Sequence, residues 1–262
     1  IVKSGFFVFG GIILSKLIVY AYRVIIARVY GPEAYGLFSL ALMVSSWIIA
    51  FASLGLIDGI LRYVALYRGK NNYQKIAYLV KTGSKILIYT SVLSGIVSYL
   101  LSEFIAVNIF HNPDLTIYLK IFSIGIPFYI LATFYLGVLK GFEKIQWYSF
   151  ILNILQNVSR VGILVFLIFL GLNANSIGYS YIISVILIFI CAYLVCKIKI
   201  PEIFIKRGKN IPTNNASDKK ALHSLFSYSW PLIFLGAVYS IMYWADSFVI
   251  GYYKDAFTVG IY

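Results

Sequence analysis

Seven long runs of apolar residues, separated by short polar connections, organise this chain. They lie near residues 6–30, 36–66, 74–101, 117–140, 145–171, 176–197 and 226–253. Each reaches the roughly 20 residues that a helix needs to cross the hydrocarbon core of a bilayer. The runs are continuous rather than alternating, and open sheet edges cannot sit in lipid, so the pattern predicts helices and no strands. The second run is overlong, which places its Asp58–Tyr67 end outside the bilayer. After the third, Glu103–Leu115 predicts a short interfacial helix closed by a turn at Asn112-Pro113-Asp114.

Charges in the connections set an orientation. Arg68, Lys70 and Lys75 follow the second run, and Lys140 and Lys144 follow the fourth. Lys197, Lys199, Lys206, Arg207, Lys209, Lys219 and Lys220 follow the sixth. The intervening connections are nearly free of Lys and Arg. Cytoplasmic loops carry the positive excess, so the N-terminus is expected in the cytoplasm. Residues 198–225, with Pro201, Gly208, Pro212 and the run Thr213–Asp218, form the only long polar connection.

Residues 1–197 are therefore expected to form a lobe of six spans, 198–225 a cytoplasmic linker, and 226–262 the opening helix of a second lobe. A 224-residue shift lays Tyr20-Ala21 on Trp244-Ala245, Ile25-Ile26 on Val249-Ile250, and Gly36-Leu37-Phe38 on Gly260-Ile261-Tyr262. Such duplication is common in transporters. With Ile1 first and Tyr262 last, the chain is expected to be a piece of a longer protein.

Composition agrees with this reading. The chain is 61% hydrophobic and 12% charged, where a soluble domain is near half apolar and about a quarter charged. The net charge of +13 collects in alternate loops, so topology explains it without nucleic acid. Cys191 and Cys196 lie in an apolar run, with the pattern of inert thiols. His111 and His223 are isolated, no loop carries paired carboxylates, and no phosphate-binding glycine loop is present. No enzyme activity, cofactor or metal is expected.

The first span carries Lys16 and Arg23 seven residues apart, on one helix face with Tyr20 between them. A cation at membrane depth costs at least about 2.5–3.5 kcal/mol on insertion scales, so it is expected to face protein or water. Two on one stripe suggest a cavity wall for something anionic. Snorkelling to the headgroups is the alternative, and it suits Arg28, which lies off the stripe.

In the fifth span Gln146, Ser149, Asn153, Gln156 and Arg160 fall within an arc of about 80°, with Asn157 at its edge. Such an arc is either a hydrophilic cavity wall, with amides for sugar hydroxyls and Arg160 for a phosphate, or interhelical glue. Lys81 and Lys85 share a face of the third span, either guiding an anionic headgroup inward or reaching anionic lipid. Asp58 and Arg62, four residues apart, are expected to pair. Asp246 is the one carboxylate of the seventh span, a coupling-ion site or a counter-charge to the first helix. Pro127 removes a backbone hydrogen bond in mid-span and is expected to act as a hinge.

Two motifs carry a resemblance. The run Gly31-Pro32-Glu33-Ala34-Tyr35-Gly36-Leu37-Phe38-Ser39-Leu40, and Leu54-Gly55-Leu56-Ile57-Asp58-Gly59 followed by Arg62-Tyr63, resemble the oligosaccharide-lipid flippases. Gly137-Val138-Leu139-Lys140-Gly141 and the stretch from Asp246 to Tyr262 also fit. These flippases belong to the multidrug/oligosaccharidyl-lipid/polysaccharide exporter superfamily. The resemblance implies two six-helix lobes in a V around a central cavity, with alternating access. It also implies that Lys16 and Arg23 are placed like the cavity-lining basic residues of the related lipid II flippases.

The expected function is to flip a polyprenyl-diphosphate-linked oligosaccharide to the outer leaflet of the cell membrane, for cell-envelope polysaccharide biosynthesis. Its partners would be that lipid-linked substrate, membrane lipids, and glycosyltransferases or a polymerase of the same pathway. The expected substrate site is Lys16, Arg23, Asn153, Gln156 and Arg160, with Arg28, Lys81 and Lys85 at an entry or gate. Three alternatives are a drug/cation antiporter of the same superfamily, a membrane-embedded glycosyltransferase or polymerase, and a non-transporting scaffold. An antiporter wants acids in the cavity, and a transferase wants a large catalytic outer loop.

Overall fold

The computed structural model describes residues 2–204 and 215–262, the side chains of 2–8 and 215–217 excepted. The helices are α1 (Val2–Val29), α2 (Gly31–Ala52), α3 (Leu56–Gly69), α4 (Tyr73–Phe104) and α5 (Leu115–Gly141). They continue as α6 (Ile145–Ser149), α7 (Gln156–Phe169), α8 (Ser176–Lys199), α9 (Pro201–Phe204), α10 (Asn215–Tyr253) and α11 (Ala256–Ile261). Wider, π-type turns extend α4 over Ile105–Ile109 and join α6 to α7 over Phe150–Leu155. Seven of the described helical stretches, from Phe9–Val29 to Asp218–Tyr253, are long and apolar enough to cross a bilayer. No strand occurs among the described residues. The chain is an all-α polytopic membrane protein.

Three boundaries differ from the hydropathy pattern. The run expected as one helix over 36–66 is two, because Leu54 and Gly55 take positive φ values of 51° and 63° between α2 and α3. Glycine adopts that left-handed conformation without Cβ strain. A Cβ on Gly55 would also strike the Ser229 carbonyl oxygen of α10. Hydropathy misses the break because Leu54-Gly55-Leu56 is as apolar as its flanks.

The interfacial helix expected over Glu103–Leu115 is instead the end of α4, carried on by the turn Ile105–Ile109. The turn beyond it is the expected one, with the Asp114 amide donating to Asn112 Oδ1 at 3.0 Å. Much of the expected 198–225 linker is helical, in α9 and in the first turns of α10, which runs on through Pro231. Lys206, Arg207, Lys209, Pro212 and Thr213 lie outside the described residues.

α5 is the most enclosed span. A helix apolar on every face has to be surrounded. At one end it packs around Leu56, Ile60, Leu79 and Leu139, and at the other around Ile26, Phe38, Met43 and Val185. Pro127 sits inside α5 without ending it. Its missing N–H leaves the Ser123 carbonyl without its helical donor. α4 brings Gly95 to that carbonyl, where a Cβ would lie only 3.0 Å from the oxygen.

Contacts between the loops sort them into two ends. Arg68 pairs with Glu143 at 2.7 Å, Tyr63 Oη donates to the Ser224 carbonyl at 3.0 Å, and Lys199 lies 5.1 Å from the Trp147 ring. These join the basic connections to one another. At the opposite end Tyr30 Oη donates to the Leu172 carbonyl at 3.0 Å, and the His111 and Tyr252 rings meet at 6.2 Å. Arg62 places its guanidinium 4.0 Å from the Tyr228 ring centre instead of pairing with Asp58. The face of an aromatic on α10 replaces the expected carboxylate.

α11 crosses the start of α2 at van der Waals limits. A Cβ on Gly36 would strike the Ala256 carbonyl, and one on Gly260 would strike the Pro32 carbonyl. The 224-residue shift maps Gly36 onto Gly260 and Pro32 onto Ala256, so it exchanges one pairing for the other. The contact is reciprocal, as across a two-fold axis.

Candidate functional site

The polar arc of the fifth span divides at its π-type turn. A wide turn adds a residue to the register, so the arc drawn for a regular helix does not persist through it. Asn153 Nδ2 donates to Ser149 Oγ at 3.0 Å, and Asn157 Nδ2 donates to Ser15 Oγ of α1 at 3.0 Å and to the Asn153 carbonyl at 2.8 Å. The Asn157 bond ties this helix to α1, while the Asn153 bond stays within the helix. Asn153, expected in the cavity wall, is not among the residues that line the cleft beside Arg160. Gln156 and Arg160 turn the other way.

Arg160 projects from α7 between two tyrosine rings. Its guanidinium carbon is 5.0 Å from the ring centre of Tyr181 on α8 and 5.7 Å from that of Tyr22 on α1. The negative faces of such rings attract a cation by about 0.5–2 kcal/mol, more as water is excluded. Tyr181 is stacked on Phe122 at 4.3 Å and 7°, and Tyr22 shares a 3.2 Å hydrogen bond with Ser180. Both rings are therefore fixed before they meet the cation. Gln156, one turn earlier, is oriented to accept from Arg160 Nη2 at 3.2 Å and to donate to the Leu152 carbonyl.

No carboxylate answers this charge. Among the described residues the one ion pair is Arg68–Glu143 at the basic end. Arg160 Nε is buried without a hydrogen-bond partner. Burying a cation is costly unless something neutralises it, and ring faces with one amide do so only partly. The guanidinium opens onto a cleft of about 270 Å³ that Tyr129, Ser45, Ser46 and Trp244 also line. The walls come from α2, α5, α7, α8 and α10. Such a site can take an anion bidentately, with hydroxyls and aromatic faces beside it.

The first-span cations do not line this cleft. α1 packs through Gly11, Ser15, Tyr22 and Ile26, while Lys16, Tyr20 and Arg23 are exposed on a face about 100° away. Arg23 lies 5.9 Å from the Tyr35 ring centre. Arg28 is exposed in the last turn of α1, and Lys81 and Lys85 are exposed along α4. Asp246 is exposed on α10 and accepts from Tyr262 Oη at 3.0 Å. The pocket expected to be shared by Lys16, Arg23 and Arg160 is thus an Arg160 cleft with the α1 stripe outside it.

Tyr22, Tyr129, Tyr181 and Trp244 were not legible as site residues. A tyrosine in an apolar run reads as a membrane-interface anchor. Only its depth in the span, or a partner cation on another helix, separates the two roles. No group of three or more His, Cys, Asp or Glu side chains gathers among the described residues.

The fold and the cleft define a multi-pass membrane protein with a half-open, cationic, aromatic-lined site. The chain belongs to the polysaccharide biosynthesis protein family, whose profile matches residues 1–262. It is 23% identical to a putative O-antigen transporter of Shigella flexneri over 163 residues, 61% of this chain and 37% of that protein. It is 20% identical to the lipid II flippase MurJ of Bacillus subtilis (strain 168), covering 94% of this chain and 48% of the flippase. The chain thus spans less than half the length of these relatives. No solved structure matches it. One relative is named a transporter and the other a flippase, and the seven membrane-capable helices of this chain agree with a multi-pass membrane protein.

Proposed function

We propose that this chain is the N-terminal part of a flippase that carries a polyprenyl-diphosphate-linked oligosaccharide to the outer leaflet. The single observation behind this is Arg160: a cation held by tyrosine faces, with a buried unpartnered Nε and no carboxylate, opening onto a cleft. A diphosphate supplies the missing charge, and the hydroxyl and aromatic lining suits sugars. The family and the named relatives support the same substrate class.

The wider architecture follows from this reading. Six spans in 1–197 form one lobe, 198–225 connects, and 226–262 opens a second lobe, consistent with the reciprocal Gly36–Gly260 crossing. The N-terminus is cytoplasmic, because the basic connections share one end. Lys16 and Arg23 face the second lobe and complete the cationic wall when the lobes close. Lys81 and Lys85 attract the headgroup at entry, Arg28 at the other end of α1 serves as a gate, Pro127 is the flexing point, and Asp246 couples an ion. Glycosyltransferases or a polymerase supply and consume the substrate.

Energetics favour export. Moving about two negative charges outward against an inside-negative potential releases roughly 4–5 kcal/mol per 100 mV. An antiporter of organic cations would want an acid where Arg160 stands. The test is flipping of a lipid-linked oligosaccharide by the full-length protein in proteoliposomes. Arg160→Gln is expected to reduce it at least tenfold and Arg23→Gln severalfold. Undiminished flipping by Arg160→Gln overturns the assignment.

A further inference from the structure

Resting on the reading of the Arg160 cleft as a diphosphate site, we propose that the groove between α2 and α10 seats the isoprenoid chain of the same lipid. Trp47 and Phe51 of α2, with Ala237, Ile241, Ala245 and Phe248 of α10, wall a half-open groove of about 270 Å³ that is wholly apolar. Ala237, Ile241 and Ala245 recur at four-residue intervals, so the two alanines hollow one face of α10. From Ala237 to Val249 the helix rises about 18 Å. That is more than half the roughly 30 Å depth of the bilayer's hydrocarbon core. A groove of about 270 Å³ is far too small for a helix roughly 10–12 Å across and leaves room for part of one hydrocarbon chain.

The groove and the cleft are two sides of one seam. Ser46 lines the cleft and Trp47 beside it lines the groove; Trp244 lines the cleft and Ala245 beside it lines the groove. Between them, Ser46 Oγ and Ser240 Oγ share a 3.1 Å hydrogen bond, and Trp47 Nε1 donates to the Ser240 carbonyl at 3.4 Å. Both bonds are neutral, and neither involves a charged group that would resist parting. A headgroup held at Arg160 therefore lies in a cleft that adjoins the chain groove along this seam, and parting the seam lets the lipid straddle it. The polar head stays in the cleft while the chain stays at membrane depth.

The experiment measures binding of undecaprenyl diphosphate, geranyl diphosphate and inorganic pyrophosphate to the full-length protein in nanodiscs. Wild type is expected to bind tighter as the chain lengthens. Ala237→Phe with Ala245→Phe fills the groove, and is expected to reduce that chain-length advantage at least tenfold while leaving pyrophosphate binding unchanged. Arg160→Gln is expected to weaken all three alike, so a failed headgroup reading shows itself separately, as unchanged pyrophosphate binding in that variant. A filled groove that keeps the full chain-length advantage overturns the proposal. Should the double variant not fold, diazirine-tagged undecaprenyl diphosphate decides on wild-type protein. Labels on Trp47 or Ile241 support the groove. Labels confined to other helices, or an Ala245→Cys thiol shielded by the rest of the polypeptide, overturn it.

Discussion

Tyr181 holds its ring centre 5.0 Å from the Arg160 guanidinium carbon while stacking on Phe122 at 4.3 Å. One aromatic thus serves the packed core and the cation together. If the ring face fixes the guanidinium, Tyr181→Phe keeps pyrophosphate binding near wild type. Tyr181→Leu weakens it by about 2–30-fold, the equivalent of 0.5–2 kcal/mol. Titration calorimetry on the full-length protein separates the two, and equal losses would assign the effect to the hydroxyl.

The Asn157–Ser15 hydrogen bond at 3.0 Å is expected to stabilise without transporting. A double-mutant cycle of Ser15→Ala and Asn157→Leu, followed by unfolding in detergent, should give a coupling of roughly 0.6 kcal/mol. Flipping by both single variants is expected to stay within twofold of wild type. Gln156→Leu, on the cleft side of the same helix, is expected to reduce it further than either.

The Gly36–Gly260 crossing admits no side chain on either partner. Gly36→Ala and Gly260→Ala should each destabilise by about 1–3 kcal/mol, the usual range for overpacking. Because both act on one contact, the double variant should cost less than the sum. Thermal unfolding of the full-length protein reads this directly, and strict additivity would mean that the two glycines do not share an interface.

Asp255 caps α11 by accepting from the Thr258 hydroxyl at 2.6 Å and the Thr258 amide at 2.8 Å. These bonds hold its carboxyl below the ordinary aspartate value. A lowered folded-state pKa means that the stabilisation is present above the ordinary value and is lost as pH falls through the lowered one. Protection of the amides in the first turn of α11, as exchange relative to the intrinsic rate at each pH, should therefore fall on acidification below pH of about 4. Asp255→Asn, which still caps but does not titrate, should remove that pH dependence.

Much of this was legible before any coordinates. Hydropathy predicts seven spans because lipid allows the backbone no partner but itself. The basic loops fall at one end, and α10 follows the polar connection. What failed were breaks that carry no polarity signal. Leu54-Gly55 interrupts an apolar run through backbone sign alone, and the wide turn Phe150–Leu155 shifts register without altering composition. That shift separates Asn153, bonded within its own helix, from Gln156 and Arg160, which face the cleft.

The sequence by itself determined the solvent of this protein, its helical class and the types of charge it brings into the bilayer, since each follows from local composition and transfer energy. Tertiary structure alone decided which cation is held between aromatic rings. Lys16, Arg23 and Arg160 are all cations within apolar runs, but only Arg160 lies on a helix flanked by the Tyr22 and Tyr181 rings from two others. A site assembled from five helices is a matter of which faces meet, and no periodicity within one helix encodes its neighbours.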